Sequence, residues 1–168
     1  MLDSLNKALE EQLKDLYSAE KQLIQALPRM ARAASSPTLR EAFTLHLEET
    51  RRQAERLEQA AEILGMRPGG KRCKGMAGLI EEGKDVLAED GEDAVIDAAL
   101  IAAAQKVEHY EISAYGSART LAERLGQSRV SELLQETLDE EGATDKKLTQ
   151  IAEGEVLEEA AAAGRGTE

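Results

Sequence analysis

Leu9, Leu13, Leu16, Glu20, Leu23, Leu27 and Met30 recur at alternating spacings of four and three, a series of apolar residues interrupted by one acid. That rhythm marks a single face of an α-helix. A later stretch, Leu100, Ala104, Val107, Glu111, Ala114, Ala118, Leu121 and Leu125, keeps the same spacing and again carries an acid in mid-seam. Glu111 follows Glu20 by 91 residues. A carboxylate turned into a packed seam costs several kcal/mol unless a cation or a partner compensates it. Two of them at equivalent places point to a charged ligand, and a metal is the first choice.

The same pattern predicts four long helices. The first runs from a cap at Asp3 or Ser4 to about Ala33, with a kink or local distortion at Pro28. Ser35-Ser36-Pro37 is a turn, with Ser36 as cap and Pro37 at the first helical position of a second helix that Gly65 stops after about Leu64. Residues 67–75 read as loop and Met76 to Leu87 as a short helix. A third long helix spans Glu92 or Asp93 to Leu125, and Gly126-Gln127-Ser128 turns the chain into a fourth that reaches about Ala152. Sliding the chain by 91 residues superimposes the second pair on the first. Glu20 meets Glu111, Phe43 meets Leu134, Leu47 meets Leu138, Glu49 meets Glu140 and Leu57 meets Leu148. A helix pair, a long connection and a similar pair describe an all-α four-helix bundle over residues 1–152, whose crossover carries a short extra helix. Residues 153–168, rich in Ala, Glu and Gly, are expected to form a flexible tail.

Composition narrows the function classes. At 168 residues the chain suits one domain with its own core. With 33 acidic against 21 basic side chains the net charge is −12, which argues against nucleic acid as a partner. No apolar run approaches the roughly 20 residues of a membrane span, and the N-terminus is charged throughout, so no membrane partner and a cytoplasmic location are expected. The single cysteine, Cys73, precludes an intramolecular disulfide. It sits among Lys71, Arg72 and Lys74, which could lower its pKa and make it reactive; the plainer reading of a lone loop thiol is incidental.

At about 100° per residue, every long helix offers an inward-looking acid. Glu20 and Glu111 lie at the centres of their arcs. Helix two places His46, Gln53 and, nearer the edge, Glu49 on a broad apolar face. Helix four offers Glu140 as the repeat equivalent of Glu49, while Glu141 and Asp145 project closer to the centre of its face and, four residues apart, can reach one point. Carboxylates suit Mn, Fe or Mg, and an imidazole shifts preference toward Fe, Mn or Zn. Four carboxylates balance two divalent ions, the logic of di-iron and di-manganese bundles. The neighbouring residues have plainer readings. His109 points about 160° away from Glu111, toward the surface; Tyr115 reads as core; Tyr17 and Glu108, repeat equivalents, lie at the edge of the site face, for packing or for a hydrogen bond to a ligand carboxylate.

Several strings together resemble the YciE/YciF-type branch of the ferritin-like superfamily: Tyr17-Ser18-Ala19-Glu20-Lys21-Gln22-Leu23, His46-Leu47-Glu48-Glu49-Thr50, Cys73-Lys74-Gly75-Met76, Glu108-His109-Tyr110-Glu111-Ile112, and Glu140-Glu141 with Asp145. The resemblance covers about residues 2–152. It implies a ferritin-like, rubrerythrin-type four-helix bundle, a homodimer, a dinuclear metal site and a link to bacterial stress responses. One departure limits the transfer. The superfamily carries Glu-x-x-His on helices two and four, but here Arg52 stands three residues after Glu49 and Ala143 three after Glu140. His46 precedes Glu49 instead, and its repeat counterpart is Thr137. The expected metal ligands are therefore Glu20, Glu49, Glu111 and Glu140 by position and symmetry, with His46, Glu141 and Asp145 as further candidates; Glu140 and Glu141 compete for one role.

Two function classes follow. In the first, two divalent ions, Fe foremost with Mn or Zn as alternatives, sit in the bundle and handle iron, oxygen or peroxide under stress, with an oxidase or peroxidase-like activity as the enzymatic form. In the second, a metal-free dimeric bundle acts as a binding or scaffold protein in stress physiology.

Overall fold

The computed structural model describes residues 2–163. Local chemistry marks where several of the helices start and stop. Helix α1, Leu5–Ala33, is capped by Ser4, whose hydroxyl accepts the Lys7 N–H at 3.2 Å. It continues unbroken through Pro28, where the missing N–H leaves the Ile24 carbonyl without its usual partner but does not end the helix. Helix α2, Pro37–Ile63, starts at Ser36, which accepts the Leu39 N–H at 3.2 Å with Pro37 at the first position. It stops at Gly65, whose φ of 66° allows the Met66 N–H to close back on the Ala61 carbonyl at 2.9 Å. Helix α4, Asp93–Arg124, ends the same way at Gly126, with φ 70° and Gln127 bonded to Ala122. Helix α5 spans Ser128–Ile151, and the crossover carries α3, Lys74–Ala88.

The four long helices close a ring in which α1 packs on α2, α2 on α5, α5 on α4 and α4 on α1. The short turns make α1 antiparallel to α2 and α4 to α5. Asp97, near the start of α4, accepts the backbone N–H groups of Ser35 and Ser36 at 2.9 and 2.7 Å, which places the beginning of α4 against the end of α1. The crossover must therefore travel the length of the bundle, and α3 lies along α4 and α1 as it does so. Among the described residues no helix is long and apolar enough to cross a membrane.

Where a tail is expected from residue 153, the chain stays helical. A π-helical turn, Ala152–Val156, leads into α6, Leu157–Ala163. Val156 is buried in the core, and Glu155 accepts the Ser36 hydroxyl at 2.6 Å, so this segment is tied to the α1–α2 turn. Residues 164–168 of the expected tail lie outside the described residues.

The core is split in two. One apolar cluster gathers Leu23, Leu27, Phe43, Leu100, Ile101, Leu148 and Val156; the other gathers Leu9, Leu13, Leu16, Leu57, Val130, Leu133 and Leu134. Along every long helix the change from one cluster to the other falls at buried polar residues: Glu20 on α1; His46, Thr50 and Gln53 on α2; Glu108 and Glu111 on α4; Thr137 and Glu141 on α5. A polar layer thus crosses the middle of the bundle. Because Asp97 is buried and satisfies two backbone donors at once, replacing it leaves both without a partner. Asp97→Ala is expected to lower unfolding stability by about 2 kcal/mol, read as a drop in the urea midpoint.

Candidate metal centre

Four side chains of the polar layer converge. His46, Glu108, Glu111 and Glu141 each bring one ligand-type atom to within 4.8 Å of the others, and all four are buried. They come from α2, α4 and α5, so no local segment forms the cluster. Glu20, wholly buried on α1, lies beside them, close enough for His46, Glu108 and Glu111 to act on its carboxyl. The Tyr115 hydroxyl, four residues beyond Glu111, donates a short hydrogen bond to Glu20 Oε1 and fixes that carboxylate. His46 Nε2 stands 3.1 Å from Glu108 Oε1, and His46 Nδ1 stands 3.9 Å from Glu49 Oε2.

The electrostatics of this cluster are those of acids held away from water. Burial raises Glu20 to about 8 despite the Tyr115 hydrogen bond. Burial and then the charges of Glu20, Glu141 and Glu108 push Glu111 well above the ordinary carboxylate range. Burial and the nearby Glu108 do the same to Glu141. For His46 burial opposes the charge, but Glu108, Glu49 and Glu141 outweigh it and raise the imidazole well above its usual value.

Their hydrogen-bonding capacity is largely unused. Both oxygens of Glu108, Glu111 and Glu141, Glu20 Oε2 and both ring nitrogens of His46 are buried with no hydrogen-bonding partner among the described residues. The 3.1 Å approach of His46 to Glu108 is an ion-pair contact without hydrogen-bond geometry. Buried polar atoms are ordinarily satisfied, so a concentration of orphaned donors of this chemistry suits a cation that accepts oxygen and imidazole ligands.

The expected ligands fall into two groups. Glu20, Glu111, His46 and Glu141 are brought together. Glu140 is not: its carboxylate takes two Arg56 hydrogen bonds at 2.6 and 2.7 Å and one from Gln53 at 3.1 Å, facing α2 outside the cluster. Adjacent helical residues differ by about 100°, so only one of Glu140 and Glu141 can look inward, and the Arg56 pairing goes to Glu140. Asp145 is also directed elsewhere, accepting Gln105 at 3.1 Å and lying 3.3 Å from His109 Nε2. Glu49 sits at the rim, its side chain 32% exposed. His109 is on the surface.

Glu108 is the residue whose role the pattern understates. It lies three residues before Glu111 and so shares its face, the one signal in the sequence that could promote it from the edge. Its repeat equivalent, Tyr17, instead donates to Glu58 at the protein surface. Tyr115, read as core, is indeed buried but also holds Glu20. Cys73 departs from a reactive loop thiol: it is buried at the cap of α3, accepts the Met76 N–H and contacts the Tyr110 hydroxyl, and burial raises its pKa. Lys71, which could have lowered it, pairs with Asp15 instead.

The family model described as "Domain of unknown function (DUF892)" matches residues 4–161. Protein YciF of Escherichia coli (strain K12) is 53% identical over 141 residues, covering 83% of this chain and 85% of YciF. The crystal structure of the E. coli stress protein YciF matches with a TM-score of 0.87 at 50% identity, over 89% of this chain and 95% of that one. YcfI from Rhodopseudomonas palustris matches with a TM-score of 0.87 at 40% identity, over 90% and 96% of the two chains. A structure of ferritin-like, diiron-carboxylate proteins from Bacillus anthracis str. Ames matches with a TM-score of 0.69 at 17% identity, over 89% and 98%, which shows a shared fold.

The raised acids make metal-free stability pH-dependent in a defined direction. A carboxyl with a higher pKa folded than unfolded holds its proton more tightly when folded, so its contribution is complete below about 4.5 and lost as pH rises toward about 8. His46, also raised, loses its contribution in the same direction as pH climbs through its folded value. Glu49 and Asp15 are lowered and act only at the acid end, where their contribution disappears as pH falls below the ordinary carboxylate range. The chelator-treated protein is therefore expected to melt at lower temperature at pH 8 than at pH 5. Glu111→Gln should raise the pH 8 melting temperature by removing one of the mutually repelling acids; a lower value in scanning calorimetry would mean that Glu111 has a stabilising protein partner.

Proposed function

The chain belongs to the family described as "Domain of unknown function (DUF892)", and on that premise we propose that it is a YciF-like stress protein. In this reading its ferritin-like bundle holds a divalent metal centre for handling iron, oxygen or peroxide. The observation that carries the reading is the set of buried, partnerless donor atoms on Glu20, His46, Glu108, Glu111 and Glu141. Four carboxylates balance the charge of two divalent ions, which supports a dinuclear centre with Fe as first choice and Mn or Zn as alternatives. Bound there, iron or manganese would supply one-electron chemistry toward oxygen or peroxide.

The side chains around the centre have separable tasks. Tyr115 orients Glu20 through its hydroxyl. Glu108 and His46 approach each other across the middle of the bundle, from the diagonally placed α4 and α2. The two apolar clusters on either side keep bulk water from the acids, so each carboxylate faces a cation with little screening. Arg56, paired with Glu140 and Glu136, covers the outer side of the layer with ion pairs made within the protein. A homodimer and a cytoplasmic location belong to the same reading and are checked by light scattering and cell fractionation.

Protein purified without chelators is expected to contain Fe, Mn or Zn by elemental analysis, and the Glu20→Ala/Glu111→Ala double variant to contain far less. Equal metal in the two proteins sinks the proposal and leaves the metal-free scaffold.

A further inference from the structure

Access to the polar layer is uneven around the bundle. On the α2–α5 side, Arg56 bridges to Glu136 and Glu140 and closes the interface beside Gln53. One to two turns away along the same interface, a cavity of about 110 Å³ separates the two helices. One water needs only roughly 10–15 Å³ of such space, so the cavity can carry a cation with part of its hydration shell. Its mouth is formed by Leu45, Glu49, Ala143, Thr144 and Lys147, and its inner wall includes His46. A groove of about 390 Å³ between α1, α3 and α4 touches none of the five clustered side chains.

A line of donors runs inward through the smaller cavity. Glu49, a third exposed, is held at the rim by the Thr144 hydroxyl, which donates to Oε2 at 3.4 Å. The same Oε2 lies 3.9 Å from His46 Nδ1, a 3% exposed imidazole whose two nitrogens lack hydrogen-bond partners. His46 Nε2 lies 3.1 Å from Glu108 Oε1 inside the cluster. We propose that the α2–α5 cleft is the port through which a divalent cation enters the bundle, with Glu49 as the rim ligand that captures it and His46 as the side chain that passes it to Glu108.

The port rests on the metal-centre reading and adds to it a division of labour: Glu49 serves arrival, whereas the buried acids serve residence. Capture by a carboxylate in a low-dielectric mouth concentrates cations and raises the association rate. Lys147, exposed at the same mouth, works against it.

Stopped-flow mixing of the chelator-treated full-length protein with Co²⁺, followed by visible absorbance, separates rate from capacity. Glu49→Gln is expected to slow uptake by about tenfold while the cobalt retained after gel filtration stays at the wild-type level. Ala143→Phe, at an exposed position that cannot unsettle the core, should slow uptake by obstructing the mouth. Lys147→Glu should speed it several-fold, with the gain shrinking in high salt. Wild-type rates in both Glu49→Gln and Ala143→Phe would place entry elsewhere and overturn the port while the metal centre stands. Loss of cobalt capacity in Glu49→Gln would make Glu49 a resident ligand and also overturn it. A wild-type protein that retains no cobalt would remove the metal centre and the port together.

Discussion

The constraint on which this bundle turns is the cost of holding four carboxylates in its middle layer. Glu20, Glu108, Glu111 and Glu141 are fully buried within one layer of side chains, and burial together with the neighbouring charges raises the proton affinity of Glu111 and Glu141. A fully buried leucine contributes about 1.5–3 kcal/mol, so the apolar clusters above and below have enough buried surface to offset several kcal/mol of carboxylate desolvation. The two half-cores thereby support a layer that would not be stable by itself. The acids must then be neutralised by protons or by a cation, and the high proton affinity of the cage and its fit to a cation are two expressions of the same electrostatic field.

Holding that layer in register requires the ends of the bundle to be fixed. Asp97, Ser35, Ser36 and Glu155 join α4, the α1–α2 turn and the C-terminal helical segment at one point. At the other end, Gly65 and Gly126 stop α2 and α4 with the same left-handed residue. Between these fixed ends the internal repeat sets the spacing and supplies Glu20 and Glu111, and the rest of the site is built where the repeat is broken. His46 has Thr137 as its counterpart, Glu108 has Tyr17, and Glu141 has Thr50. The result is an asymmetric cage with its imidazole on α2, beside the cleft, and no equivalent imidazole on α5.

Much of this was legible in the chain. The four-three rhythm, the two glycine stops and the Ser-Pro cap mark the helices because each depends on residues within one or two turns. Glu20 and Glu111 stand out because an acid at the centre of an apolar arc has no local explanation. Glu140 and Asp145 were misleading because helical geometry says which way a side chain leaves its own helix and nothing about what waits opposite. Arg56 waits for Glu140, and Gln105 with His109 for Asp145. Residues 153–163 run on as helix for a related reason: a segment rich in Ala and Glu has helix propensity, and contacts with α4 and the Ser36 hydroxyl give it a place to dock.

The sequence by itself determined the helices, their pairing through a 91-residue repeat and the two central acids, since periodicity and capping are properties of neighbours along the chain. The tertiary structure alone decided that Glu108 and Glu141 join the buried cluster, that Glu140 and Asp145 face other partners, and that Glu49 stands at the rim. Those outcomes are contacts between helices far apart in sequence. A difference of one residue in facing separates a buried, partnerless carboxylate from a part-buried ion pair, and only the packed bundle determines which side chain joins the cluster and which meets an arginine.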